Sequence, residues 1–374
     1  MKILHIIPNL LKGGAERICL DMCNELENSG HQVKLVILDN QNSYEKLVNQ
    51  LEIIHLDIHI QLKFLRKPET SIGPLQDLVN EFQPDIIHSH LFLAELYAQH
   101  IVSPAKRFCH VHDNMHQLHK KRWRHSFTKQ GLVGQFERHY YLKLSKKKKT
   151  NFLCISQDAF DFISHNIPQK NGVPIFFPNA INSSLFCPQQ KKETDTLQLV
   201  NIGSFVPKKG QELLLNMMKV LLGTKKVHLH FLGDGETKKD CQALSKKLGI
   251  ENHITFHGIH DHPEEILQQA DLYIHSASYE PFGLVLIEAM STGLPVIATD
   301  GRGNRDFMDG SNGILLYHRD PKLFAQEIID LMNDQERYKK LQAGALETAK
   351  KYDIVPYVER LVELYQKAID EEKR

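Results

Sequence analysis

Ser276-Ala277-Ser278-Tyr279-Glu280-Pro281-Phe282-Gly283-Leu284-Val285-Leu286-Ile287-Glu288-Ala289-Met290 is the stretch on which the reading of this chain turns. It follows an apolar, strand-like run from Asp271 to His275. Pro281 and Gly283 break the chain, and apolar residues at helical spacing take over. The spacing predicts Glu280 in the loop after a strand and Glu288 about two turns into the next helix. A helix start there leaves the N–H groups of Phe282, Gly283 and Leu284 unpaired, which favours phosphate or another anion. Two carboxylates beside an anion site suit a ligand that carries both phosphate and hydroxyls, as a nucleotide-sugar does. Strand–loop–helix units are common and a helical Glu is usually solvated, so spacing alone leaves both readings open.

Length and composition narrow the field. A chain of 374 residues is long enough for two domains. Its 41% apolar and 24% charged residues are those of a soluble globular protein, and a net charge of +1 points to no partner. Cys19, Cys23, Cys109, Cys154, Cys187 and Cys241 form no C-x-x-C pair, which favours a reduced cytosol and speaks against zinc. Cys19 and Cys23 share a helical face and read as core packing. The opening Met1–Pro8 is too short for a secretory leader, and no run reaches the roughly 18 apolar residues of a membrane span. The expectation is a cytoplasmic protein that touches a membrane, if at all, from that side.

The first half opens as strand, Gly-rich turn, helix and strand. Residues 2–7 read as a buried strand, Lys12-Gly13-Gly14-Ala15-Glu16-Arg17 opens a helix to about Asn28, and Val33–Leu38 is the next strand. There is no G-x-G-x-x-G and no G-x-x-x-x-G-K-[ST], so neither a nicotinamide fold nor a phosphate loop is indicated. Further strands are expected at Leu51–Leu56, Ile86–Ser89, Arg107–His112 and Phe152–Ser156. His88-Ser89-His90 and His110-Val111-His112 end two of them, and ligands of open parallel sheets bind at carboxyl strand ends. The second His of each pair, His90 and His112, is placed to face a crevice. Read as one ligand per strand face, the pairs do not assemble the three or four ligands of a zinc site, and no metal is expected.

Residues 104–149 carry thirteen Lys or Arg against Asp113 and Glu137, with Trp123, Phe127, Phe136, Tyr140 and Tyr141 interleaved. Such a stretch suits an anionic membrane surface or an anionic acceptor. Nucleic acid is the competing partner, and a solvated helix face is the plain alternative; no nucleic acid is expected. A polar, unpatterned segment from Pro188 to Thr196 marks the linker. Beyond it the alternation restarts, with strands expected at Leu197–Ile202, Val227–Leu232, His253–Phe256, Asp271–His275, Pro295–Ala298 and Gly313–Leu316. Three turns should open on one sheet edge: Gly203–Gly210 with Lys209, Gly233–Glu236, and Ser276–Leu284.

Together these pieces resemble the GT-B glycosyltransferases of the large retaining family 4. The resemblance rests on Gly13-Gly14-Ala15-Glu16-Arg17, Asp85-Ile86-Ile87-His88-Ser89-His90, His112, Pro178-Asn179-Ala180-Ile181-Asn182, Gly203 to Gly210, Gly233-Asp234-Gly235 and Glu280 to Glu288. It spans both halves in order. It implies an α/β fold of two Rossmann-like parallel β/α/β domains facing a central cleft. Residues 1–188 would bind the acceptor and 189–355 the donor, with a helix at about 356–374 packing back on the first domain.

The resemblance also implies roles. Glu280 lies beside the donor sugar, the amides of Phe282 to Leu284 hold hydroxyls and diphosphate, and Glu288 holds the ribose. Lys209 neutralises the leaving diphosphate, with Gly203, Ser204, Lys208 and Gly233 shaping the donor site. Gly14 lets the first loop approach the phosphate, and His112 meets a sugar hydroxyl. Gly13, His90 and Asn179 stand on the acceptor side. The donor would be a UDP-sugar, and the acceptor a glycan or polyprenyl-linked glycan of a surface polysaccharide. Neither cofactor nor divalent metal is implied. Three departures stand out: Ser204 where an Arg is usual, Asn179-Ala180 for Asn-Gly, and the loop Asp300-Gly301-Arg302-Gly303-Asn304-Arg305-Asp306. Lys208 and Arg305 are the substitute cations at hand. The competing readings are a non-catalytic nucleotide-sugar-binding module and another GT-B enzyme such as a sugar-nucleotide epimerase.

Overall fold

The computed structural model describes residues 1–44, 51–61, 69–120, 129–191 and 194–371. Two compact units emerge, one of Met1–Ala180 with Ile354–Arg374 and one of Ile181–Asp353. The division falls ahead of Pro188, where the sequence places it. The reason is backbone pairing: the Ile181 amide donates to Tyr352 O at 2.8 Å, and Ile181 bridges to Asp353.

In the first unit, β1 (Lys2–Ile7), α1 (Gly14–Asn28), β2 (Gln32–Ile37) and β3 (Glu52–His55) come first. A short antiparallel pair follows, β4 (His59–Gln61) and β5 (Glu69–Ser71), which sequence reading did not anticipate. Then come α2 (Gly73–Phe82), β6 (Ile86–His90), α3 (Leu91–His100), β7 (Lys106–Val111), α4 (Lys129–Ser145), β8 (Thr150–Cys154), α5 (Gln157–Asn166) and β9 (Gly172–Phe176). The main sheet runs β3-β2-β1-β6-β7-β8-β9, and each adjacent pair is parallel. β1 is apolar on both faces because helices cover both sides of such a sheet. On α1, Ile18, Cys19, Met22, Cys23 and Leu26 form the buried stripe, so both thiols are core side chains, as their spacing suggests.

The histidines correct the sequence reading. Residues i and i+2 of a strand share a face, so each pair contributes both of its rings to one side of the sheet. Register does the rest: His5 lies opposite His88, and His90 opposite His110. The rings stack, with centroids 4.7 Å apart for His88 and His90 and 4.4 Å for His110 and His112. The C-terminal helix Ile354–Asp370 covers them, burying Tyr357, Val358, Leu361 and Tyr365. Tyr365 Oη pairs with His88 Nδ1, and Tyr357 Oη lies 3.4 Å from His110 Nε2.

The basic tract is also partly internal. Residues 121–128, with Trp123 and Phe127, lie outside the described ones. Arg107 and Lys148 donate to carbonyls at the end of α3, and Arg138 to Leu118 O and Asn166 O. They cap helix ends and loops, where cations are favoured by the dipole. Burial and the nearby Arg107 charge lower the Lys148 pKa to about 8. Tyr141 is fully buried with its hydroxyl on Glu95 at 2.8 Å. Lys143, Lys146, Lys147 and Lys149 remain exposed.

The second unit holds β10 (Leu197–Ile202), α6 (Gln211–Leu221), β11 (Val227–Leu232), α7 (Lys238–Leu248), β12 (Ile254–Gly258), α8 (Pro263–Leu267), β13 (Leu272–His275), α9 (Leu284–Ser291), β14 (Val296–Thr299), β15 (Gly313–Leu316), α10 (Pro321–Asn333) and α11 (Gln335–Lys350). Its sheet runs β12-β11-β10-β13-β14-β15 and is parallel throughout. The chain order reverses between β10 and β13, and at such a switch point the loops leave in opposite directions and open a crevice. Among the described residues no helix is long and apolar enough to cross a membrane.

The histidine stack makes the first unit acid-sensitive. Burial depresses the pKa of all five rings, to about 3 for His5 and His110 and well below 6.5 for His88, His90 and His112. Folded rings are neutral, whereas unfolded ones take a proton near pH 6.5. The unfolded state thus binds more protons in acid, so this stabilisation is complete above about pH 6.5 and falls below it, by ~1.4 kcal/mol per pH unit for each ring. We expect the urea midpoint, followed by fluorescence of the sole tryptophan, Trp123, to drop steeply from about pH 7 to about pH 5. A flat profile would mean that the rings are charged in the native state.

Candidate active site

The two strands at the switch point of the second sheet each end in a turn that carries chemistry. After β10 come Gly203, Ser204 and a short 3₁₀ turn, Pro207–Lys209. After β13 the chain runs to Gly283, which caps α9 with φ 105° and no capping side chain. A Cβ there would lie 2.8 Å from Leu286 Cδ1, so both space and backbone require glycine. The first N–H groups of α9 have no intrahelical partner, as in any helix start. Leu284 is the first helical residue, and half-buried Glu288 lies on the same helix. Phe282 is a core side chain, its ring centroid 5.4 Å from that of Phe307 in a tilted contact and 5.7 Å from that of Tyr352 in an edge-on one. Only its backbone is left for a ligand.

Hydrogen bonds join the two turns. Ser278 N donates to Lys208 O at 2.7 Å, and Ser276 Oγ to Lys209 O at 2.8 Å. Lys208 reaches over the Tyr279 ring, 5.4 Å from its centroid. A third turn, after β11, packs onto the first. Gly233 has φ 135°, and a Cβ on it would fall 2.1 Å from Gly203 O, so these backbones meet only through glycine. Ser204 is exposed beside this contact.

At the centre is Glu280, 7% exposed. Its Oε2 pairs with Lys209 Nζ and lies 3.0 Å from His275 Nε2. Burial alone would raise its pKa, but the His275 hydrogen bond and the Lys209 charge outweigh that and hold it at about 2. Burial lowers the His275 pKa against the pull of Glu280, so the imidazole is neutral near pH 7 and donates Nε2–H to the carboxylate. The Glu280 backbone is fixed too, its N–H donating to Gly301 O at 2.7 Å and its carbonyl accepting from Gly303 N at 3.0 Å. Asn304, fully buried, holds that loop through Gly301 N and Thr299 O, each at 2.9 Å. The site is therefore a charged carboxylate, a lysine and a helix start converging at one sheet edge.

Sequence reading missed His275, Asn304 and Arg319, which donates to Ser276 O. His275 carries a signal in retrospect: it is the polar residue at the carboxyl end of an otherwise apolar strand, Leu272–His275. Of the substitute cations, Arg305 pairs with Asp300 through both Nε and Nη2, and Lys208 lies exposed in the turn that holds Ser204.

In the first unit the predicted residues divide. Gly14 opens α1, and Gly13 precedes it, held at N and O by Tyr44 Oη at 3.1 Å. His90 and Asn179 are internal rather than open to a crevice. His90 Nδ1 lies 3.0 Å from His112 Nε2, and His90 Nε2 lies 3.0 Å from His5 Nδ1. Asn179 Oδ1 is 3.1 Å from His110 Nε2. His112, at 7% exposure, is the least enclosed ring. His90 owes its place to Leu91, whose φ of 67° turns β6 directly into α3. Among the described residues, three sets are close enough to hold a metal ion: His5, Cys19 and Cys23; His5, His88 and His90; and His90, His110 and His112. In the last two, facing nitrogens are already spent on ring-to-ring hydrogen bonds.

The sequence profile of glycosyl transferases group 1 matches residues 185–348, and that of glycosyltransferase family 4 matches residues 12–184. The chain belongs to this family of GT-B glycosyltransferases. Lipopolysaccharide core biosynthesis glycosyltransferase LpsE of Rhizobium meliloti is 32% identical over 41% of this chain, but the match spans only 45% of LpsE. LpsD of the same organism, of the same description, is 24% identical over 93% of each chain. The crystal structure of Anabaena HepE in complex with UDP and glucose superposes with a TM-score of 0.76 at 19% identity, over 98% of this chain and 99% of that one.

The Glu280–Lys209 pair can be tested alone. Lys209→Met leaves a buried carboxylate with only His275 and should destabilise the protein by about 2–3 kcal/mol, while adding Glu280→Gln should recover most of that. Urea denaturation of the two single variants and the double variant measures the coupling. Simple additivity would show that the pair contributes nothing to stability.

Proposed function

We propose that the protein transfers a hexosyl group, with retention, from a UDP-sugar to a glycan or polyprenyl-linked glycan during surface-polysaccharide synthesis. The observation that carries this is the buried, ionised Glu280, held by Lys209 and His275 at the start of α9. The UDP and glucose named for HepE and the lipopolysaccharide role named for LpsE and LpsD support the choice of donor and pathway class.

In this reading the bond from the anomeric carbon to the diphosphate oxygen breaks, and its electron pair leaves with the phosphate. Lys209, Lys208 and the N–H groups of Phe282, Gly283 and Leu284 receive that growing negative charge around the glycine turns at Gly203, Ser204 and Gly233. Glu280 faces the positive charge that develops on the sugar, and Glu288 binds the ribose hydroxyls. The acceptor oxygen attacks on the face that the phosphate leaves, and the phosphate takes the acceptor proton. His112 hydrogen-bonds a substrate hydroxyl, and Gly13 and Gly14 leave the backbone of the first loop open to the substrate. No divalent metal takes part, since protein cations and the helix start supply the charge. UDP-sugars should raise the melting temperature by mass action. Glu280→Ala should keep the fold but lower kcat by at least ~100-fold, measured as UDP release; near-normal turnover in that variant would remove Glu280 from the site.

The proposal includes an anionic membrane at the cytoplasmic face, met by Lys143, Lys146, Lys147 and Lys149, all exposed. In flotation with phosphatidylglycerol vesicles, alanine at these four positions should abolish co-flotation that the unaltered protein shows. Equal flotation of both would assign membrane contact elsewhere.

A further inference from the structure

Three of the buried histidines form a continuous chain. His5 Nδ1 meets His90 Nε2 at 3.0 Å, and His90 Nδ1 meets His112 Nε2 at 3.0 Å. Each contact between neutral rings holds one proton, and each neutral ring carries one. If His5 keeps its proton on Nδ1, then His90 and His112 must carry theirs on Nδ1 as well. If His112 carries it on Nε2, the other two do the same. No mixed arrangement satisfies both bonds. The ends of the chain, His5 Nε2 and His112 Nδ1, are buried and lack a hydrogen-bond partner among the described residues. An orphaned buried nitrogen is costly, and a ligand hydroxyl would offset that cost at the His112 end.

We propose that His5 and His90 are positioning residues for His112: the three rings share one tautomer, and this decides whether His112 Nδ1 donates to or accepts from a substrate hydroxyl. The idea rests on the reading of His112 given above. Burial keeps the rings neutral, as the wire requires, with His5 at about 3 and the other two well below their ordinary value. His88 and His110 stack on it within the sheet, Tyr365 and Tyr357 engage those two rings from the C-terminal helix, and Cys19 and Cys23 approach His5 from α1. His88 and His110 are not links, because their bonded nitrogens go to Tyr365 and Asn179. His5 is also fully enclosed, so a role for it in transfer has to pass through His90.

Ring ¹⁵N spectra of the histidine-labelled full chain give a readout that mere packing would not move. H5F and H90F keep an aromatic ring in the stack and remove the nitrogens. In both, the His112 ring nitrogens should shift toward a different tautomer population. H90F should lower kcat at least about tenfold with the donor KM changed less than about twofold, and H90N, which restores a hydrogen-bonding group, should recover most of the loss. Unchanged His112 shifts in folded H5F and H90F overturn the proposal. Should H90F not fold, H5F decides by the same spectrum, because His5 does not touch His112. If His112→Ala leaves transfer intact, the substrate reading fails, while the spectra still judge the wire.

Discussion

The second unit depends on keeping one carboxylate charged where water scarcely reaches. Desolvation works against the Glu280 anion, and an unpaired buried charge would simply take up a proton. The fold prevents this with a lysine from one strand-end turn and a neutral imidazole from the adjacent strand. Both partners come from the switch point, where β10 and β13 lie side by side and the turns that follow them are hydrogen-bonded to each other. The charge therefore needs the sheet order, and the glycine contact between Gly233 and Gly203 keeps the neighbouring turn close enough to complete the edge.

The first unit solves the opposite problem by the opposite means. Its strands bring five imidazoles onto one face, where mutual repulsion would be severe if they were protonated. Burial under the C-terminal helix removes the charge, and the edge-on contact of Tyr365 with His88 and the Tyr357 hydroxyl beside His110 make the rings part of the core. The enclosure of His90 follows from this packing. A ring with both nitrogens bonded to other rings has none left for a ligand, so its effect on chemistry is exerted through His112.

The fold was legible because parallel strands buried on both faces leave apolar runs, and glycine turns punctuate them. The strands at residues 2–7, 197–202, 227–232 and 313–316 fall where periodicity places them. Glu280, Lys209 and the glycines were legible as well, since each sits next to a chain break. His275 and Asn304 were not, because their roles arise from contacts between turns distant in sequence. The basic tract was legible only in part, for a related reason. A Lys or Arg that caps a helix end looks identical in sequence to one in solvent, and Lys148, Arg107 and Arg138 are distinguished only by the carbonyls they meet. The histidine pairs were misjudged by facing, although strand geometry alone places i and i+2 together.

The two acidic residues that frame α9 also separate on physical grounds. Glu280 precedes the helix, is nearly enclosed and has its charge fixed by two partners; Glu288 lies within the helix and is only half-buried. A pair that exchanged protons across one bond would need two carboxyls with opposed environments at comparable positions. Here Lys209 and His275 pin Glu280 as an anion at any pH above about 2, which disqualifies it as a proton donor near neutrality. What an enclosed, permanently ionised carboxylate can do is stabilise a positive centre or accept hydrogen bonds. In the proposed transfer, Lys209, bonded to it, is the cation that a diphosphate would share, so that one ion pair would couple binding at the phosphate to charge at the reacting carbon.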